Sequence, residues 1–337
     1  MKIKLLAALA ALGMSGNALA VICTPVTPPD HQAEQLDASS DIIRLRADAG
    51  VGPDKNIGTA ISTSLSSTLR YSCPGFEAYG ERPLVSTLEP YPGYSGMYRT
   101  KIEGIGVKFT TSAPDGGGAG DLPRPRYRLK QDPDPNAQIV YVNIPIGRFN
   151  ATFYKLSDDL NLSTRYPDSN LLFSHGIIGY NKLEDTNISI YSMNDIYIVS
   201  TPVCTVDKPL PVDFNTVNAA DIRRGVVRPL QFGIVCKTDY GNYDVTARIK
   251  GTKITDDGKY IKVDDSKDND ESLIIEITDG KDNPIMVDNS TVLSIDNVKS
   301  GQKASFGWTA KLKKQDGKPY PAQGAFKASA IITLEIK

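Results

Sequence analysis

Short runs of alternating or β-branched residues recur along this chain, and almost no stretch carries a helical period. Ile42–Leu45, Gly106–Thr110, Ile139–Ile144, Asn150–Leu156, Asn187–Tyr191 and Asp195–Val199 are of this kind. So are Gln231–Val235, Val245–Ile249, Ser272–Ile277 and Ala328–Ile336. A period of two places alternate side chains on opposite faces of a strand. Many short strands, separated by turns that 22 prolines and 28 glycines supply, predict an all-β chain of sandwiches or barrels. The largest interruption is Ser112–Pro135, with Gly116-Gly117-Gly118 and Pro123, Pro125, Pro133 and Pro135. It reads as a long surface loop.

The N-terminal residues have the pattern of an export signal. Lys2 and Lys4 precede an apolar run from Leu5 to Met14, and Ala18-Leu19-Ala20 supplies an A-x-A cleavage site. Residues 1–20 are therefore expected to be a signal peptide, too short in their apolar part to span a bilayer. Export to an oxidising compartment favours disulfides over zinc for the four cysteines, since neither Cys23 with Cys73 nor Cys204 with Cys236 has CxxC-type spacing. Four cysteines allow three connectivities, and one bridge per domain is the economical choice. The length suits two domains. Ser200-Thr201-Pro202-Val203, ahead of the second cysteine pair, reads as the linker. This gives domains at 21–200 and 204–337 joined by 201–203. The 38 basic and 39 acidic side chains leave a net charge of −1, which argues against a nucleic-acid partner.

The C-terminus is the most informative stretch. Phe326, Ala328, Ala330, Ile332, Leu334 and Ile336 fall in one phase, with Lys327, Ser329, Thr333, Glu335 and Lys337 in the other and Ile331 the exception. Gly324, fourteenth from the end, keeps the apolar phase. This ending resembles the C-terminal strand of chaperone–usher pilus subunits, with Ile336 where the family usually has tyrosine. Cys204-Thr205-Val206, Val212-Asp213-Phe214 and Phe232-Gly233-Ile234-Val235-Cys236 are similar to the opening of a pilin domain, in which the two cysteines are bridged. The resemblance implies an immunoglobulin-like sandwich that lacks its last strand. Its open groove is captured by a periplasmic chaperone and filled by a strand from the adjacent pilin subunit. No alternating arm precedes Cys23, the layout of a tip adhesin that accepts a strand but donates none.

Two segments narrow the likeness. Pro53-Asp54-Lys55-Asn56-Ile57-Gly58-Thr59 and Tyr98-Arg99-Thr100-Lys101-Ile102-Glu103-Gly104-Ile105-Gly106-Val107-Lys108-Phe109 are similar to runs in type 3 fimbrial adhesins. The resemblance implies an elongated jelly-roll, lectin-like first domain with a receptor pocket near Ala60, Thr63, Met97 and Lys108. The aromatic loop Tyr91-Pro92-Gly93-Tyr94, with Tyr79 and Tyr98 nearby, supplies faces that suit sugar rings and recognition surfaces generally. The set combines a hydroxyl, a cation and a thioether, which suits binding without catalysis.

Catalytic and metal readings find little support. His31 and His175 are isolated and expected in loops or at the surface, and two histidines do not complete a three-histidine zinc site. Gly50-Val51-Gly52-Pro53 lacks the Gly-Lys-Ser/Thr of a phosphate loop. The acidic run Asp264–Glu271 has the wrong spacing for calcium and reads as a solvated hairpin. No catalytic residue, metal or cofactor is expected. The reading is a fimbrial tip adhesin, exported through the periplasm and the outer-membrane usher to the cell surface, that attaches the cell to a glycan or matrix-protein receptor. The rival is a secreted β-sandwich polysaccharide hydrolase, for which Glu77, Glu81, Glu89, Asp158 and Asp159 would have to supply a carboxylate pair.

Overall fold

The computed structural model describes residues 22–64, 69–112, 120–134, 136, 138–144, 147–163, 170–208 and 211–337. The expected signal peptide lies outside the described residues. Strand accounts for 56% of the chain and helix for 2%.

The first half builds β1 (Thr24–Thr27), β2 (Glu34–Ala38), β3 (Ile43–Arg46), β4 (Asn56–Ser64), β5 (Leu69–Pro74) and β6 (Tyr79–Arg82). There follow β7 (Tyr98–Arg99), β8 (Ile105–Ser112), β9 (Gly120–Asp121), β10 (Arg124–Arg128), β11 (Gln131–Asp134) and β12 (Ile139–Ile144). It ends with β13 (Arg148–Lys155), β14 (Asn170–Phe173), β15 (Gly176–Leu183), β16 (Thr186–Met193) and β17 (Ile196–Thr201). These strands form four sheets, in the orders β1-β5-β12-β11, β10-β6-β15-β16-β2, β4-β13-β8-β7 and β14-β17-β3. They enclose one core, in which Leu69, Phe109, Phe149, Phe153 and Leu172 are fully buried. The Cys23–Cys73 bridge lies inside it.

The second half builds β18 (Val203–Val206), the short helix α1 (Ala219–Arg224), β19 (Val226–Lys237), β20 (Asn242–Gly251), β21 (Tyr260–Val263) and β22 (Leu273–Thr278). It closes with β23 (Pro284–Ile285), β24 (Leu293–Lys299), β25 (Lys303–Lys314) and β26 (Ala330–Ile336). One sheet has the order β18-β19-β25-β22-β21, with β23 beside β22, and faces a three-stranded sheet β24-β20-β26. A second core, separate from the first, fills the space between them. Period-two alternation explains the packing. Along β25, Ala304, Phe306, Trp308, Ala310 and Leu312 point inward and are at most 5% exposed, while Lys303, Ser305 and Gly307 face out. Cys204 and Cys236 are direct ladder partners and are bridged. Helix α1 opens on a capping box between Asn218 and Asp221 and tucks Ile222 into the core.

Two expectations need correction. The segment Ser112–Pro135 is not one loop, since β9, β10 and β11 lie within it; residues 113–119 and 135 lie outside the described residues. Pro125 in β10 and Pro133 in β11 are compatible with strand because both strands are sheet edges, where an N–H on the open side has no ladder partner to lose. The terminal strand is shorter than its alternation suggests. Lys327 exchanges both backbone hydrogen bonds with Asp264, which leaves Gly324, Phe326 and Ala328 ahead of β26. Of the two histidines, His31 lies in a loop with its side chain 4% exposed and its ring edge-on to Tyr71, and His175 is exposed.

Candidate functional site

The sheet β4-β13-β8 turns one face to the core and the other outward. Ala60, Val107, Phe109, Ala151 and Phe153 are 0% exposed on the inner face. The outer face then carries Thr59, Ile61 and Thr63 on β4, Asn150, Thr152 and Tyr154 on β13, and Lys108 and Thr110 on β8. Register sets these in rows across the strands. Lys108 lies opposite Thr152, and Thr152 opposite Thr59. The hydroxyls of Thr59 and Thr152 are 3.3 Å apart in a hydrogen bond. Lys108 is 30% exposed and its ammonium is 2.8 Å from the Asp121 carboxylate on the neighbouring β9.

The aromatic loop borders this face. Tyr91 and Tyr94 meet edge to face with centroids 5.6 Å apart, and the Arg99 guanidinium stands 5.5 Å over the Tyr91 ring. Gly96, at φ +69°, brings the loop backbone to the Lys108 side chain; a Cβ there would meet Lys108 Cε at 4.0 Å. Met97 packs over Gly106, where any Cβ would clash with its sulfur at 2.4 Å. The structure therefore sets Lys108 beside the aromatic loop, while Thr63 lies on the same outward face farther along β4, toward the Arg148 end of β13. It sets Ala60 and Met97 beneath that face, at 0% and 3% exposure, so neither side chain reaches the surface. Tyr154 was missed in sequence, although its alternation with Phe153 marks it as an outward aromatic.

A cleft of about 390 Å³ opens beyond β7, between Pro83, Leu84, Leu88, Pro90, Tyr98 and Arg124. Burial pushes the Tyr98 hydroxyl above its ordinary pKa. Of the carboxylates that a hydrolase would use, two are engaged in ion pairs. Glu77 accepts from Tyr79 and pairs with Arg128, and Asp158 pairs with Lys237 at 2.7 Å. That pairing lowers the Asp158 pKa and raises that of Lys237. Among the described residues no cluster of three metal-ligating side chains occurs, and no helix is long and apolar enough to cross a membrane.

The second candidate region is the strand β26. It pairs with β20 on one side only and is the edge of its sheet. Val245, Ala247 and Ile249 of β20 lie directly opposite Ile336, Leu334 and Ile332. Ladder partners share a face, yet the β20 residues are 0%, 0% and 1% exposed. Ile336 remains 37% exposed, and Ile332 and Leu334 are only partly buried. Ala328 and Ala330 are exposed, and Phe326 only partly covers the same core. Across from β26, β18 stops at Val206 while β19 continues, which leaves Val226–Phe232 without a strand partner on that side among the described residues. A cleft of about 620 Å³ lies there, with Asp207 and Lys208 at its rim and Phe232 and Phe306 in its wall. Phe232 stacks on Phe306 at 5.1 Å and meets Trp308 edge-on at 4.8 Å.

Residues 194–337 match the family of fimbrial proteins. The match covers the whole of the second unit. The match starts at Asn194, in the connection between β16 and β17, and so takes in the last strand of the first unit. In three dimensions the chain is similar to the receptor-binding domain of the plasmid-born adhesin MrkD1P of Klebsiella pneumoniae, at 17% identity over 54% of this chain and 96% of that one, with a TM-score of 0.38. It is also similar to the CupB6 tip adhesin of Pseudomonas aeruginosa, at 11% identity over 94% and 95% of the two chains and a TM-score of 0.37. A third similar structure is the CsuC–CsuE chaperone–tip adhesion subunit pre-assembly complex of Acinetobacter baumannii, at 12% identity over 89% and 99%, with a TM-score of 0.37. No curated protein sequence matches the chain.

Proposed function

We propose that the chain is the tip adhesin of a chaperone–usher fimbria, with a receptor-binding domain at 21–200, a short connection at 201–203 and a fimbrial anchoring domain at 204–337. The observation that carries this reading is the mismatch across one ladder: Val245 is fully buried while its partner Ile336 is 37% exposed. A sandwich that buries one strand completely and leaves its hydrogen-bonded neighbour half bare is one strand short. A strand laid along β26 would cover Ile332, Leu334 and Ile336 and satisfy the free edge, the mode called strand addition. The partners that fit are a periplasmic chaperone during export through the usher, and then an adjacent pilin subunit.

The first domain supplies attachment. Its outer face offers hydroxyls, an amide, a cation and two tyrosines in a shallow array, which supports binding without chemistry. A glycan is the ligand class this hydroxyl-rich face suits best, with a matrix protein as the alternative. Multivalent display of such tips adds avidity to weak single contacts. The hydrolase reading has no carboxylate pair to support it among the described residues. Periplasmic expression of the chain with and without its cognate chaperone tests the anchoring half: soluble protein is expected only as a stoichiometric complex. Recovery of a soluble monomer that binds no added donor peptide would overturn it. Binding of residues 21–200 to a glycan array and to immobilised matrix proteins tests the attachment half.

A further inference from the structure

Strand β13 keeps its inward phase to its last residue. Phe149, Ala151 and Phe153 are 0% exposed, and so is Lys155. An unpaired ammonium in such a place is strongly disfavoured. Lys155 Nζ is satisfied by two groups from different parts of the chain: the Ala47 carbonyl at 3.0 Å and the Asp239 carboxylate at 3.1 Å. Asp239 is 1% exposed and belongs to the turn between β19 and β20, in the second unit. Its other oxygen accepts from the Ser200 hydroxyl at 2.6 Å, and its backbone carbonyl accepts from the Leu162 N–H at 2.9 Å. The next residue, Tyr240, packs against the first core, and its hydroxyl accepts from the Ser200 N–H at 3.0 Å. The turn of one unit is thus seated in a polar socket built by the other.

The covalent connection beside it is minimal. β17 ends at Thr201 and β18 begins at Val203, so Pro202 alone lies outside strand, and Ala47 N–H holds the Thr201 carbonyl at 3.1 Å. Two units joined through a linker ordinarily move relative to each other. A fully buried ion pair is a different kind of joint, because separation strands a charge on each side.

We propose that the β19–β20 turn is a plug, closed by Lys155–Asp239, that fixes the two units as one rigid body. The placement gives the lock a consequence for attachment. β13 is the strand between β4 and β8 in the outward face, and β20 is the ladder partner of β26. Tension between a bound receptor and the fibre passes through this ion pair as well as through Pro202. That consequence rests on the adhesin reading, whereas the lock itself stands whatever fills the groove.

The test uses spin labels carried on non-natural side chains at Ile177 and Val292, 46% and 44% exposed in the first and second units, so that no extra cysteine competes with the two bridges. Electron–electron distance measurement on the full exported chain, held in complex with its chaperone, is expected to give one narrow distribution. Asp239→Asn and Lys155→Met are each expected to at least double its width. A label pair at Phe76 and Ile177, both in the first unit, should keep its distance and so report that this unit is folded. Should the single variants not fold, Tyr240→Ala shortens the plug without stranding a charge and is expected to broaden the distribution in the same way. A wild-type distribution as broad as that of domains on a free linker overturns the proposal. So does a folded Asp239→Asn variant as narrow as wild type.

Discussion

Lys108 and Thr152 stand directly opposite each other in the ladder between β8 and β13, on the face turned away from the core. Thr59 continues the row across the sheet, and Gly96 brings the aromatic loop to the Lys108 side chain. Lys108→Glu is expected to weaken receptor binding at least tenfold, about 1.4 kcal/mol. The thermal midpoint should hardly move, since the Lys108–Asp121 pair is exposed and such pairs contribute about 0–1 kcal/mol. Thr63→Arg and Tyr94→Ala should behave alike. Titration against the best ligand from an array, paired with a melt of each variant, checks this. Unchanged binding by all three folded variants would move the site to the cleft lined by Leu84, Leu88 and Tyr98.

Ile332 and Leu334 face the second core from an edge strand and are only partly covered. Replacing both with Asp puts two carboxylates where an incoming strand must lay apolar side chains. Recovery of the chaperone complex is expected to fall at least tenfold in a pull-down from periplasmic extract. Equal yield from the variant would rule out this face as the docking surface.

The bridges Cys23–Cys73 and Cys204–Cys236 close loops with sequence separations of 50 and 32. Removing the second by a double Cys→Ser exchange is expected to cost the second unit about 2–5 kcal/mol. Denaturant unfolding of the complexed protein would show it, and non-reducing peptide mapping would verify the pairing.

Glu271 accepts from Lys262 and Lys318, each at 2.7 Å, and the first of these contacts does most to bring its carboxyl down from 4.5 to about 2. The folded protein therefore resists protonating this group more than the unfolded chain does. Its contribution to stability is complete above pH 4.5 and is lost as the pH falls toward 2. Glu271→Gln should flatten the stability profile in that window and leave its shape at neutral pH unchanged, as read from urea midpoints measured at a series of pH values.

Strand identity was legible wherever one face is buried, because burial imposes the alternation that the sequence displays. Ile139–Ile144 was marked to the residue, and the runs around Val245 and Ser272 to within a few. Two edge strands escaped notice. β10 and β11 carry Pro125 and Pro133, and on an edge neither the pattern nor the hydrogen bonding forbids them. In the outward face, strand phase alone separates Thr63 and Lys108 from the buried Ala60. Met97 was not separable, since its burial depends on a loop folding over Gly106. Lys155 was legible in principle: a lysine in phase with Phe149, Ala151 and Phe153 is a charge aimed at a core. Its partner was not, because Asp239 lies in another unit and no local pattern connects them.

The first unit is stitched shut by its latest strands. β2 pairs in parallel with β16, and β3 in parallel with β17. A chain that emerges from a membrane pore N-terminus first cannot complete either sheet until residues near 201 are through. β2 and β3 wait without those partners while most of the unit is delivered, and such distant pairings close slowly. Cys23 and Cys73 meet earlier on this schedule. Once joined, they tie β1 to β5 and limit how far the waiting segment can stray.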